Sequence, residues 1–168
     1  MSEKRHVFES PAITVSWIRR RCIHVAECVR GLPQVFDLDR RPWAHPDEAD
    51  PAEVAEVVER CPSGALLYRR LDGGPDEAHG GTTVTPIKDG PLRVVGSARV
   101  VLADGTEEVL PRATLCRCGA SRQQPFCDNA HLAAGFEAPG EHYRFFESRV
   151  RPSIEHPITA EDDPRREG

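Results

Sequence analysis

The stretch CRCGASRQQPFCDNAH, residues 116–131, places three cysteines and a histidine within sixteen positions. Only six cysteines occur in the chain, and the other three, Cys22, Cys28 and Cys61, form a separate upstream group. Clustered thiolates are natural ligands of soft metals. The spacing Cys116-x-Cys118-x8-Cys127-x3-His131 divides the donors into two pairs. A one-residue gap sets the sulfurs of Cys116 and Cys118 on the same side of an extended or tightly turned chain. Cys127 and His131 share a face if a helical turn begins between them, because positions i and i+4 are neighbours there. Two pairs suit a [2Fe–2S] cluster, one pair to each iron. A single zinc ion is the alternative, since three cysteines and a histidine are an ordinary zinc set; zinc sites, however, favour gaps of two to four residues between paired cysteines.

The rest of the chain explains why a metal is needed. With 168 residues, 15 prolines, 13 glycines and 39% hydrophobic residues, it has room for one domain or two small ones and no large apolar core. Small domains of that kind are commonly held by a metal or by disulfides. The net charge is −5; residues 1–70 carry 11 basic and 11 acidic side chains, residues 71–168 carry 11 and 16. Neither half has the basic stripe that nucleic-acid binding requires, whereas moderate acidity is compatible with docking onto a basic face of a redox partner. No apolar run has the length of a membrane span, the opening MSEKRHVFESP has no signal-peptide pattern, and the arginines of SWIRRRC precede no apolar segment. The expectation is a cytoplasmic protein without membrane or nucleic-acid partners. Its thiols stay reduced there, which favours metal ligation over three disulfides.

The local patterns predict an α+β protein in two parts. AITVSW (12–17) alternates as a strand, and GALLYRR (64–70) is its expected partner. CIHVAECVRG ends in a short helical turn closing at Gly31. EADPAEVAEVVERC is the clearest helix: Asp50 can cap it, Pro51 suits its first position, and Glu53 completes a capping box. Val54, Val58 and Cys61 then share one face. Residues 71–85 read as a linker, rich in Gly and Asp at their start. PLRVVG, ARVVLA and EEVL are short strands, the last two joined by Asp104-Gly105, a hairpin signal. HYRFFESRV (142–150) reads as one more strand, and residues 151–168 as a disordered tail.

Residues 116–131 resemble the CDGSH iron–sulfur domain, the mitoNEET-like fold with the pattern C-x-C-x2-[S/T]-x3-P-x-C-D-G-x2-H. Cys116, Cys118, Ser121, Pro125, Cys127, Asp128 and His131 meet every fixed position except one: Asn129 stands where glycine is usual. Asparagine is the side chain most tolerant of a left-handed backbone. The resemblance implies a [2Fe–2S] cluster with Cys116 and Cys118 on the inner iron and Cys127 and His131 on the outer one. It also implies supporting roles for Ser121 and Asp128, in orienting the loop and the histidine or in capping the turn and helix. Domains of this family with one motif often pair as homodimers, and an attached domain that covers the pairing face would leave a monomer; both states stay open. A histidine ligand coordinates as neutral imidazole, which predicts an acid-labile cluster, and its lack of charge predicts a raised reduction potential.

The upstream group, Cys22-x5-Cys28 with a distant Cys61-Pro62, resembles small single-cluster bacterial ferredoxins over roughly residues 10–70. Their pattern, C-x2-C-x2-C followed by a distant cysteine before proline, has its middle cysteine where this chain has Val25. Three thiolates suit a [3Fe–4S] cluster. His24, one residue from the missing corner, is a possible fourth ligand of a [4Fe–4S] alternative. Buried packing without metal is the remaining reading of these cysteines.

The expected architecture is therefore a small ferredoxin-like domain (10–70), the linker, and a mostly β CDGSH-type domain (86–150). His6, His45, His79, His142 and His156 have no partners at ligand spacing, and no phosphate loop, nucleophile elbow or paired-carboxylate motif occurs. The expected function is electron transfer without enzymatic activity, with a reductase or an acceptor protein as redox partner. The alternative is a redox or pH sensor, or a cluster donor to an apo iron–sulfur acceptor. Clusters serving only as folding staples are a third reading.

Overall fold

In the computed structural model, which describes residues 4–77 and 80–143, the expected strand pair forms the centre of the first domain. β2 (Ile13–Trp17) runs antiparallel to β3 (Leu66–Arg70), from Ile13 opposite Arg70 to Trp17 opposite Leu66. A strand that the sequence reading lacked, β1 (His6–Glu9), pairs with the other edge of β2. The short helix α1 (Glu27–Gly31) follows the first cysteine loop. Helix α2 (Pro51–Glu59) is capped by Asp50, whose Oδ1 accepts from the Ala52 N–H at 2.8 Å. Its Val54 and Val58 are fully buried against Ile13, Val15, Phe36 and Leu66, the core of this domain. Trp17 and Trp43 pack edge to face at 5.2 Å between ring centres, and Phe8 and Phe36 flank Trp43.

The second domain is a three-stranded antiparallel sheet, β4 (Thr83–Pro86), β5 (Leu92–Val101) and β6 (Glu107–Leu115), with β5 central. The hairpin signal at Asp104-Gly105 joins β5 to β6. The two short strands expected at 91–96 and 98–103 are one strand, broken by a bulge between Val95 and Ala98. Gly96 sits in that bulge at φ +107°, where a β-carbon would lie 2.4 Å from the Gly81 carbonyl oxygen. Only glycine lets the preceding loop cross the bulge so closely.

Two boundaries need correction. β4 begins at Thr83, inside the segment expected as linker, because Thr83–Pro86 finds an open edge of β5 to pair with. His142 and Tyr143, expected to open a strand, are in none. The chain before them is instead tied to the β4–β5 turn: Lys88 N–H donates to Glu141 O (2.9 Å) and Asp89 N–H to Ala138 O (3.0 Å). The remainder of that expected strand, 144–150, and the tail 151–168 lie outside the described residues. The buried core of the second domain is small, consisting of Val94, Ala98, Val100, Leu110, Ala113 and Phe126. Among the described residues no helix is long and apolar enough to cross a membrane.

Candidate metal centres

β6 runs directly into the cysteine segment. Cys116 follows its last residue, and the chain loops out and returns so that Phe126 bridges Leu115, with Cys116 N–H to Pro125 O at 2.7 Å and Cys127 N–H to Thr114 O at 2.9 Å. That return places the two halves of the donor set side by side. The sulfurs of Cys116 and Cys118 are 3.9 Å apart, and Cys127 Sγ lies 3.6 Å from His131 Nδ1. Either separation lets a pair grip one metal at bond lengths near 2.0–2.3 Å. Among the described residues no three Cys, His, Asp or Glu side chains converge on one point as ligands of a lone ion would. The separations define two donor pairs, Cys116 with Cys118 and Cys127 with His131.

Ser121 and Asp128 hold this loop by turn and cap bonds. Ser121 Oγ donates to Phe126 O (2.7 Å) and accepts from Gln123 N–H (3.0 Å). Asp128 accepts from the N–H of Arg122 (2.9 Å) and of Ala130 (3.0 Å), closing the loop and opening α3 (Ala130–Ala133). Burial raises the Asp128 carboxyl, but these N–H groups and the Ser121 hydroxyl outweigh it and hold the pKa below the usual range. Cys127 and His131 are each only 4% exposed. Burial pushes the Cys127 thiol up to about 11 and lowers the His131 imidazole, the latter against the pull of Asp128. The neutral imidazole is ready to bind a metal, whereas the Cys127 thiol has to give up its proton when it does. Asn129 adopts the left-handed conformation, φ +69°, that the pattern asks of glycine.

The upstream cysteines also gather. Desolvation pushes Cys22 up to about 11, with Cys61 adding to it and the Trp17 indole opposing it. Cys28 rises to about 12 by desolvation and then by the nearness of Cys61 and Cys22. Cys61 therefore lies within electrostatic reach of both Cys22 and Cys28, and Cys22 within reach of Cys28. Cys61, just beyond α2, also lies 3.6 Å from the Ser63 hydroxyl. His24 Nδ1 stands 3.9 Å from Cys22 Sγ. It gets there through a left-handed backbone, φ +57°, and Ala26 repeats the conformation at +61°. Non-glycine residues seldom take it, at a cost of about 1–2 kcal/mol each.

Sequence reasoning missed what joins the two groups. Arg112, on an inward position of β6 and 3% exposed, crosses into the first domain. It donates to the carbonyls of Val58 (2.9 Å), Leu66 (3.0 Å) and Cys61, and pairs with Glu77 at 2.6 Å. Arg21, 1% exposed, pairs with Glu108 at 2.5 Å and lies 4.5 Å over the Phe126 ring. Asn129 Nδ2 donates to Ile23 O at 2.8 Å. Both cysteine loops therefore face the same interdomain contact. The available signal was an arginine within the run Leu110-Pro-Arg-Ala-Thr114, at a position where strand alternation calls for a buried side chain.

Comparison with known proteins agrees with both halves. Residues 8–71 match the family model described as a divergent 4Fe-4S mono-cluster, and residues 89–132 match that of the iron-binding zinc finger of CDGSH type. Two curated relatives, the uncharacterized protein YjdI of Escherichia coli strain K12 and that of strain O157:H7, are each 54% identical over 48 residues. Those matches cover 29% of this chain, and the chain spans 63% of the length of each relative. The chain thus carries a segment similar to a divergent 4Fe-4S mono-cluster domain, followed by one similar to the CDGSH-type iron-binding domain.

Proposed function

We propose that the protein transfers electrons one at a time through two iron–sulfur centres held in one chain. The observation that carries the reading is the placement of both ligand groups against a single interdomain contact, where Asn129 and Arg112 touch the segments presenting Cys22 and Cys61. Electron transfer needs no catalytic side chain; the protein contributes ligation, burial and tuning of potential. In this reading it works with a protein donor or acceptor rather than as an enzyme.

Cys116, Cys118, Cys127 and His131 would hold a [2Fe–2S] cluster. Cys22, Cys28 and Cys61 would hold a cubane-type cluster, with His24 at the remaining corner of a [4Fe–4S] form. Support for His24 is its turned-back, left-handed backbone and its 3.9 Å approach to Cys22 Sγ. Without His24, three thiolates hold the [3Fe–4S] form. The burial of Cys127 and His131 favours a carrier over a sensor or cluster donor, which has to release its iron.

Low-temperature EPR on anaerobically purified protein, before and after dithionite, tests this. An EPR-silent oxidised sample with two signals after reduction is the expected result. A signal present when oxidised and lost on reduction identifies a [3Fe–4S] centre and removes His24 from the ligand set. Zinc in the metal analysis with silence in both states sinks electron transfer altogether.

A further inference from the structure

Asn129, the residue at which the CDGSH-type pattern is broken, is also the one that reaches the other cysteine loop. Its backbone N–H points at Cys127 Sγ, 3.4 Å away, and its Nδ2 donates to the Ile23 carbonyl at 2.8 Å. Ile23 follows Cys22 directly in the chain. The partner is a carbonyl oxygen, so the amide nitrogen faces it and the side-chain orientation is settled by chemistry. A glycine at 129 would keep the left-handed turn and the bond to Cys127 but would lose the reach to Ile23.

We propose that Asn129 is the bridge by which the two centres exchange an electron. The path starts at the Cys22 side chain and runs through the Cys22–Ile23 peptide to the Ile23 carbonyl. It crosses one hydrogen bond to the Asn129 side chain, then a second from the Asn129 N–H to the Cys127 sulfur. This inference rests on the electron-transfer reading above. In the step, one centre loses one electron and the other gains it; no bond forms or breaks and no proton moves, and an external one-electron reductant supplies the electron.

Two other contacts join the same loops, and both are poorer conduits. Arg21 and Phe126, each the neighbour of a candidate ligand, meet only by stacking at 4.5 Å, across a gap without a hydrogen bond. Arg112 bonds to the Cys61 carbonyl, but from it the covalent route must follow β6 to its end before reaching Cys116. These contacts hold the domains together, so removing the Asn129 side chain leaves the docking in place.

The test uses the full chain with both centres loaded. A photogenerated one-electron reductant is supplied below stoichiometry, and redistribution of the electron between the two visible and EPR signatures is followed by rapid freeze-quench. Asn129→Gly is the first variant; Asn129→Asp keeps the side-chain size and the tolerance of positive φ but presents an acceptor to the Ile23 carbonyl. The expected result is a severalfold slower redistribution in both variants. In Asn129→Gly both potentials, the iron content and the magnetic interaction between the doubly reduced centres, which reports their separation, should be unchanged; in Asn129→Asp the added carboxylate should lower the second centre's potential, so its rate is compared at the measured driving force. A wild-type rate in both variants overturns the bridge while leaving the electron-transfer reading standing. Failure of the wild-type centres to take up and return an electron overturns that reading and the bridge with it.

Discussion

Gly64 approaches the carbonyl oxygen of Arg112 so closely that a β-carbon on it would lie 2.2 Å away. The contact joins the first domain to β6 of the second, three residues after Cys61, and Gly64 holds it at φ +65°. Gly64→Ala therefore meets a left-handed backbone and a backbone clash together. The expected loss is about 3 kcal/mol from strain plus overpacking, read as a lowered denaturation midpoint with loss of the first centre's absorbance. Gly119→Ala is the control: its φ is +77° but nothing lies within 4 Å, so strain alone acts, at about 1–2 kcal/mol. Equal losses for the two variants would show that the close approach contributes nothing.

Arg112 serves three carbonyls and one carboxylate from a single buried guanidinium. Arg112→Met leaves Glu77 and the carbonyls of Val58, Cys61 and Leu66 without it, which is expected to cost about 3–5 kcal/mol. Lysine should recover little, because a point charge cannot reproduce the planar fork. Arg112→Met with Glu77→Gln should recover more than Arg112→Lys, since the stranded charge is then gone. Urea unfolding of the three variants, each with iron content measured, checks the order.

The periodic parts of this fold were legible in the chain. Alternation in Ile13, Val15 and Trp17 and the capped helix after Asp50 identify β2 and α2 by local physics alone, and both occur within a residue or two of expectation. The spacing of residues 116–131 likewise gathers its four donors through local turns, Ser121 and Asp128 included. What could not be read depends on partners distant in sequence. β1 and β4 are four-residue strands whose only reason to exist is an open edge on β2 or β5. Arg21, Arg112 and Asn129 look like ordinary loop and strand residues until the second domain is laid against the first. The first cysteine group is intermediate: Cys22, Cys28 and Cys61 have the right types, but their meeting requires α2 to bring residue 61 back across the sheet.

Replacing the imidazole ligand changes charge without changing the loop. In His131→Cys a thiolate stands where a neutral ring stood, adding a negative charge beside buried Cys127. The reduction potential of the second centre is expected to fall, by on the order of 100–300 mV by analogy with the spread between His- and Cys-ligated two-iron centres. The first centre's potential should stay where it is. Protein-film voltammetry resolves the two; a fall at both centres, or at neither, would contradict the assignment of His131.

His24 and Ala26 share one backbone conformation and differ only in what the side chain can do. Their φ angles, +57° and +61°, each strain a side-chain-bearing residue, and glycine relieves that strain. Relief of about 1–2 kcal/mol, less the extra unfolded-state freedom of glycine at about 0.4–1 kcal/mol, leaves a gain near 0.5–1 kcal/mol. Iron-free protein carrying Ala26→Gly or His24→Gly should therefore be slightly more stable than the wild type, and by the same amount. With iron present the two should part. Ala26→Gly keeps the cubane and the same small gain, whereas His24→Gly loses a ligand and, with it, the [4Fe–4S] signal or its stability toward chelators. Because the backbone contribution cancels between the variants, the difference between them in the loaded state belongs to the imidazole. If the two variants hold their cubane equally well against a chelator, His24 is no ligand and its turned-back ring is only a surface feature of the loop.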